Sequence, residues 1–205
     1  MKLKKNLIIL IVLLTAIPLI VKAQESSKND KTFVLNYYQE TLDNLSKSVD
    51  GLSEAQLHFK VSDSAWSISQ CLEHIIKTEP MIFGMVKGYM EQPVNPERRK
   101  DIKVTDEEIM EMVTDRSEKY KAPETLIGKG KYNDADTAIN DLKNQRSEIL
   151  SFIGNTPNEE LRNRVNDSPA GATDAYQSLL FLAGHTGRHT LQVEEIKAAA
   201  NFPEN

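Results

Sequence analysis

Cysteine is nearly absent from this chain of 205 residues: Cys71 is the only one. A single thiol excludes an internal disulfide, so stability must come from a packed core, from association or from a metal. No stretch alternates apolar and polar residues with the period of a half-buried strand, and no segment repeats, which argues against sheet and repeat architectures. Basic residues are in the minority, 25 Lys and Arg against 30 Asp and Glu, for a formal charge of −5. Such an acidic chain is poorly suited to holding nucleic acid through its phosphates. No cysteine directly follows the apolar run near the N terminus, so a lipid anchor there is not indicated.

That run reads as an export signal. Lys2, Lys4 and Lys5 precede Leu7 to Leu13 and Ile17 to Val21, and Val21-Lys22-Ala23 offers small residues at the two positions a signal peptidase reads. The sequence predicts a signal peptide over residues 1–23, cleaved before Gln24, and a periplasmic or secreted protein. A retained span is the alternative, since the run is long enough to cross a membrane if kept; after cleavage no stable anchor is expected. Cleavage removes Lys2, Lys4, Lys5 and Lys22 and no acid, moving the charge from −5 to −9. Residues 24–30 are polar and read as a disordered leader. Residues 31–202 suit one domain with a substantial core.

Within that domain the periodicity is helical. Val34, Tyr38, Leu42, Leu45, Val49 and Leu52 step by 4, 4, 3, 4 and 3, one buried face of a first helix that Gly51 ends. A short helical turn is expected over Ser53 to His58. Ser67-Ile68-Ser69-Gln70 fits a capping box opening a second long helix, with Trp66 placed like a staple near Cys71. That helix should run to about Gln92 and bend at Pro80. A short helix is expected over Thr105 to Val113, inside a long connection marked by Pro123, Gly128 and Gly130. This connection would let the third long helix, from Asn133 or Asp134 to about Ile153, start from the far end of the molecule. Gly154-Asn155 should stop it, and Thr156-Pro157-Asn158-Glu159 reads as a further capping box. Asn166 to Gly171 reads as a turn-rich loop before a fourth long helix, from Thr173 or Asp174 to about Ala200. The predicted fold class is all-α, a four-helix bundle with a long connection between the second and third long helices.

The chemistry centres on His185 and His189, four residues apart in the fourth helix. Residues i and i+4 share a helix face, so two imidazoles there can converge on one metal ion. His74 lies between Leu72 and Ile75 on the second helix. From its surroundings alone it is either a satisfied core histidine or a third ligand. His58 has no partner at ligand spacing and reads as a surface or turn residue. Gln192 shares the face of His185 and His189. No carboxylate stands at i±3, i±4 or i±7 from either, so a general base is not evident.

Trp66-Ser67-Ile68 followed by His74-Ile75, then His185-Thr186-Gly187-Arg188-His189-Thr190-Leu191-Gln192, resembles the DinB-like superfamily. The resemblance covers about Lys31 to Ala200, and the order of elements agrees with it. It implies a four-helix bundle holding a metal through three histidines, and it is what promotes His74 to a ligand beside His185 and His189. Three histidines leave at least one coordination position open, the usual mark of a catalytic site. Imidazole suits zinc or nickel, so a divalent metal is the expected cofactor.

The expected function is a metal-dependent hydrolase or transferase acting on an unidentified small molecule. Gln192 is a candidate for orienting a water. Arg188 is a candidate at the rim for an anionic substrate, although its angle from His189 favours a structural salt bridge. Cys71 falls near His74, but a buried free cysteine is ordinarily inert. Tyr37, Tyr38 and the long connection would line the pocket. Some members of the family use a small cytoplasmic thiol, which export argues against here. A non-catalytic metal- or ligand-binding envelope protein is the alternative, and a homodimer is left open.

Overall fold

The computed structural model describes residues 30–204; the expected signal peptide over residues 1–23 and nearly all of the expected leader over 24–30 lie outside the described residues. Helix α1 occupies residues 30–49, and its stepped apolar positions Val34, Tyr38, Leu42, Leu45 and Val49 are all buried. Gly51 turns the chain with φ +68, a left-handed conformation that side chains other than glycine resist. A one-turn α2 follows (Glu54–His58), capped by Ser53 and Gln56. Helix α3 spans Ile68–Met90, and its start is the expected capping box: Ser67 accepts from the Gln70 amide and Gln70 reaches back to the Ser67 amide. It continues through Pro80, which is exposed and supplies no amide proton to the ladder.

The connection is partly ordered by local structure. A 3-10 turn at Pro96–Asp101 leads into α4 (Asp106–Thr114), which Thr105 and Glu108 cap reciprocally. A second 3-10 turn lies at Glu124–Leu126. Helix α5 (Ala135–Asn155) opens on Asp134, whose carboxylate accepts from the Thr137 amide. The short α6 (Asn158–Arg162) corrects one expectation. Pro157 is its N-cap with no side-chain cap bond, and the Thr156 hydroxyl donates back to the Phe152 carbonyl instead. The stop of α5 therefore falls at Thr156, with Gly154 still helical.

A second correction is the antiparallel hairpin β1 (Val165–Ser168) and β2 (Gly171–Asp174), registered Val165↔Asp174 through Ser168↔Gly171. The segment read as a turn-rich loop contains it. Strands of four residues are too short to show a period, and only Val165, Thr173 and Asp174 are buried. Asp174 is also the N-cap of the last helix, α7 (Ala175–Lys197), in a capping box with Gln177.

Packing fixes the directions of the long helices. One apolar cluster joins the end of α1 (Leu45, Val49), the starts of α3 (Leu72, Ile75) and α5 (Ile139, Leu142), and the end of α7 (Val193, Ile196). The other joins the start of α1 (Val34, Tyr38), the ends of α3 (Phe83, Val86) and α5 (Ile149, Ile153), and the start of α7 (Tyr176, Leu179). Helices α3 and α5 thus run in the same direction, opposite to α1 and α7. That is why the chain needs a long crossover between α3 and α5: it must return to the far end of the bundle.

Between the two clusters lies a polar layer. The Arg146 guanidinium, 1% exposed, donates through Nε to Glu79 Oε1 (2.9 Å), through Nη1 to the Tyr38 carbonyl (2.6 Å) and Thr41 Oγ1 (3.1 Å), and through Nη2 to Thr186 Oγ1 (2.8 Å). Glu79, fully buried, also accepts from the Thr186 hydroxyl (2.9 Å). One ion pair with its hydrogen bonds ties all four long helices together, with Glu79 following His74 on α3 and Thr186 adjoining His185 on α7.

Candidate metal centre

Helix α3 presents His74 toward α7, and α7 presents His185 and His189 from successive turns of one face. Donor nitrogens from the three imidazoles lie within 4.8 Å of one another. His185 Nε2 is 3.3 Å from His74 Nε2 and 3.2 Å from His189 Nε2. A tetrahedral ion with metal–nitrogen bonds of about 2.0–2.1 Å sets neighbouring nitrogens about 3.3–3.4 Å apart. The spacing therefore fits a divalent ion of that size.

The far side of two of the rings decides their tautomers. His74 Nδ1 donates to the Leu126 carbonyl at 2.8 Å, and His189 Nδ1 donates to Gln192 Oε1 at 2.9 Å. Both protons are thereby held at Nδ1, and both Nε2 lone pairs face the centre. His185 Nδ1 is buried with no hydrogen-bond partner. A proton moved to His185 Nε2 would satisfy one of the two facing lone pairs and leave the other unmet. A cation shared by three lone pairs satisfies all of them, so the donor set fits a metal better than a purely structural cluster.

Electrostatics point the same way. Burial pushes all three imidazoles below the ordinary histidine range, His185 down to about 3. Each also feels a cation that lowers it further: Lys77 beside His74, Arg188 beside His185, Arg116 beside His189. The rings are therefore neutral at pH 7, as ligation requires.

The long connection supports the centre from outside. Gln70 Nε2 donates to the Gly128 carbonyl (2.9 Å) and Lys77 Nζ to the Ile127 carbonyl (3.2 Å). The Glu73 carboxylate accepts the amides of Lys129, Gly130 and Lys131 at 2.7, 2.8 and 3.2 Å. Ser69 Oγ donates to the Tyr132 carbonyl and accepts from the Tyr132 amide. These bonds fasten residues 127–132 along α3 and so fix the neighbouring Leu126 carbonyl on His74. On the other flank the Trp66 ring lies parallel to His189, 6.1 Å away, and edge-on to His74 at 5.0 Å.

A sequence model of the DinB superfamily matches residues 37–193. The chain belongs to the DinB superfamily. It is 28% identical over 149 residues to the uncharacterised protein YuaE of Bacillus subtilis, covering 72% of this chain and 86% of that one. The solved structure of YfiT from Bacillus subtilis superposes with a TM-score of 0.59 at 14% identity, over 86% of this chain and 91% of that chain. YfiT is described as a probable metal-dependent hydrolase with an unusual four-helix bundle topology. At that identity the likeness shows the shared fold.

Other residues singled out from the sequence of this DinB superfamily member fall elsewhere. Gln192 stands behind His189, accepting its Nδ1 proton, rather than over the open side of the centre. Arg188 is buried away from any rim: Nη1 donates to the Val113 carbonyl (3.4 Å) and also to the Asp115 carbonyl, and Nη2 to the Glu118 carbonyl (2.5 Å). It caps the C-terminal end of α4 rather than pairing with an acid. Cys71 is buried in the apolar core with its thiol pushed up to about 12, chiefly by burial, which suits the inert reading. His58 is exposed and bonds Asn133 Oδ1 at 2.8 Å. Tyr38 is fully buried. Tyr37 lines a different groove, of about 480 Å³, with Glu40, Asn44, Gly187 and Leu191.

Two features escaped the sequence reading. The Leu126 carbonyl is a backbone acceptor and leaves no residue signature. Glu79 and Arg146 did leave one. Each charge sits inside an apolar stripe, between Ile75 and Phe83 and between Leu142 and Ile149. Charged residues on a buried helix face must be paired.

Proposed function

We propose that this protein is a metal-dependent enzyme, a hydrolase or transferase acting on a small molecule, with His74, His185 and His189 as ligands to one divalent ion, zinc or nickel. The observation that carries the reading is the convergence of three Nε2 atoms while the Nδ1 protons of His74 and His189 are committed to Leu126 and Gln192. The description of YfiT as a probable metal-dependent hydrolase supports it.

An ion held there would supply Lewis acidity toward a substrate oxygen and would acidify water at the open position. The chain's own residues do the rest. Leu126 and Gln192 hold two protons away from the centre. Trp66 and the buried rings lower the local dielectric, which strengthens charge interactions inside. All three imidazoles are used as donors, and among the described residues no carboxylate or thiol joins them. None is then free as a general base.

That missing base also favours a second reading, a non-catalytic protein that binds a metal and a ligand. Export belongs to the proposal as well, on the pattern of Lys2 to Ala23 alone. To test the function, metal-loaded protein is run across ester, amide and phosphoester substrates with His74→Ala as control. Metal-dependent turnover lost in the variant supports the enzyme; full metal loading with no turnover supports the binding protein.

A further inference from the structure

Among the described residues, Thr78 carries a buried hydroxyl that lacks a proper acceptor. It stands one turn after His74 on α3 and is 4% exposed. A buried helix threonine ordinarily gives its proton to a nearby carbonyl or to another side chain. Thr41 donates to the Tyr38 carbonyl (3.1 Å), Thr190 to the Thr186 carbonyl (3.0 Å) and Thr186 to Glu79 (2.9 Å). Thr78 Oγ1 has only the His74 ring beside it, 3.4 Å from Nδ1 and 3.5 Å from Nε2. Neither nitrogen can accept from it. Nδ1 carries the proton given to the Leu126 carbonyl, and the Nε2 lone pair is turned toward His185. An oxygen almost equally far from both nitrogens also lies off the direction of either lone pair, and both distances exceed the ordinary range of about 2.7–3.2 Å.

The hydroxyl stands on the side of the centre that the rings leave open. Trp66 precedes α3 and covers His189 and His74 from the other end. Helices α3 and α7 run in opposite directions, so the step from His74 to Thr78 goes the same way as the step from His189 to His185. His185 is the half-buried member of the three. We propose that Thr78 Oγ1 donates a hydrogen bond to the oxygen of the substrate or ligand held at the open position. Its proton stays on Thr78 throughout, and no bond to Thr78 forms or breaks. A fixed donor of this kind acts most strongly where negative charge builds on an oxygen. The substrate class it selects is therefore a carbonyl or phosphoryl compound. This rests on the reading of the three histidines as a metal centre and deepens it.

Thr78→Val removes the hydroxyl and keeps the branched shape; Thr78→Ser keeps the hydroxyl. Zinc-loaded full-length wild type and both variants are titrated calorimetrically with two probes. Acetohydroxamate binds as an anionic oxygen ligand, and imidazole as a neutral nitrogen ligand that offers Thr78 no oxygen. Acetohydroxamate affinity is expected to fall at least about tenfold in Thr78→Val, the usual scale for a hydrogen bond to a charged group, and to stay within about threefold in Thr78→Ser. Zinc and imidazole affinities are expected to stay within about twofold throughout, because a direct ligand loses nothing. A further readout needs no metal: with the hydroxyl unpaired, Thr78→Val should leave the Tm of chelator-treated protein unchanged or raise it. Wild-type acetohydroxamate affinity in Thr78→Val overturns the proposal. So does a joint loss of zinc, imidazole and acetohydroxamate affinity, or a lower metal-free Tm, since either makes the hydroxyl a support for His74. Failure of the underlying reading looks different: wild-type protein takes up no zinc and binds neither probe, and the role of Thr78 falls with it.

Discussion

His74 Nδ1 lies 2.8 Å from the carbonyl oxygen of Leu126, a residue 52 positions further along the chain. The crossover that the bundle needs for topological reasons thus also orients the His74 imidazole. Its fastening depends on Gly128, where an added Cβ would lie 2.1 Å from the Gln70 carbonyl oxygen. The Gly128→Ala variant must push the crossover off α3. Its metal affinity is expected to fall by about 10- to 100-fold, the usual cost of disturbing a ligand's outer partner. Metal titration against a competing chelator reads this; unchanged affinity would mean that the Leu126 carbonyl does not matter to the site.

Gln192 tests the same principle on the other side. Gln192→Leu removes the acceptor of His189 Nδ1 and is expected to weaken metal binding about tenfold while the helical circular dichroism stays as in wild type. Gln192→Glu supplies a charged acceptor and is expected to tighten it. Equal affinities in all three proteins would count against His189 as a ligand.

Acid should destabilise the metal-free protein before it protonates most carboxylates. The folded imidazoles hold pKa values below the unfolded value of about 6.5. Below that pH the unfolded chain binds protons that the folded one refuses, so stability rises with pH through this window and levels off above it. The slope is at most about 1.4 kcal/mol per pH unit for each histidine. Chelator-treated protein is therefore expected to show a Tm that climbs from pH 5 to 7 and is flat from 7 to 8. A Tm independent of pH between 5 and 7 would contradict the buried, neutral cluster.

The polar layer predicts a non-additive pair. Arg146→Ala leaves Glu79 charged and fully buried, and is expected to cost about 3–5 kcal/mol in denaturant unfolding. Replacing both, Glu79→Leu with Arg146→Met, is expected to cost much less or nothing, because no uncompensated charge remains. A double variant as unstable as the single one would show that shape rather than charge governs this layer.

Much of this molecule was legible in the sequence because its local signals agree with its global fold. The stepped apolar face of α1, the capping box at Ser67, the short helix after Thr105, and the i, i+4 pair His185 and His189 are each short-range patterns. What was not legible is long-range or backbone-borne. The hairpin at Val165 to Asp174 is too short for a period, and the cap at Thr156 lost to a bond with Phe152 that the sequence could not rank. Gln192 and Arg188 were seen as residues near the pair, but helical spacing does not say what lies behind a ring. There the end of α4 and the Nδ1 proton of His189 claimed them.

The central claim is that three imidazoles share one cation, and X-ray absorption on protein loaded with one equivalent of zinc tests it most directly. The account predicts one ion per chain, three imidazole nitrogens at about 2.0–2.1 Å with an oxygen completing the shell, and loss of that signal in His74→Ala. A shell with fewer than three imidazoles, or one unaltered in His74→Ala, would contradict it.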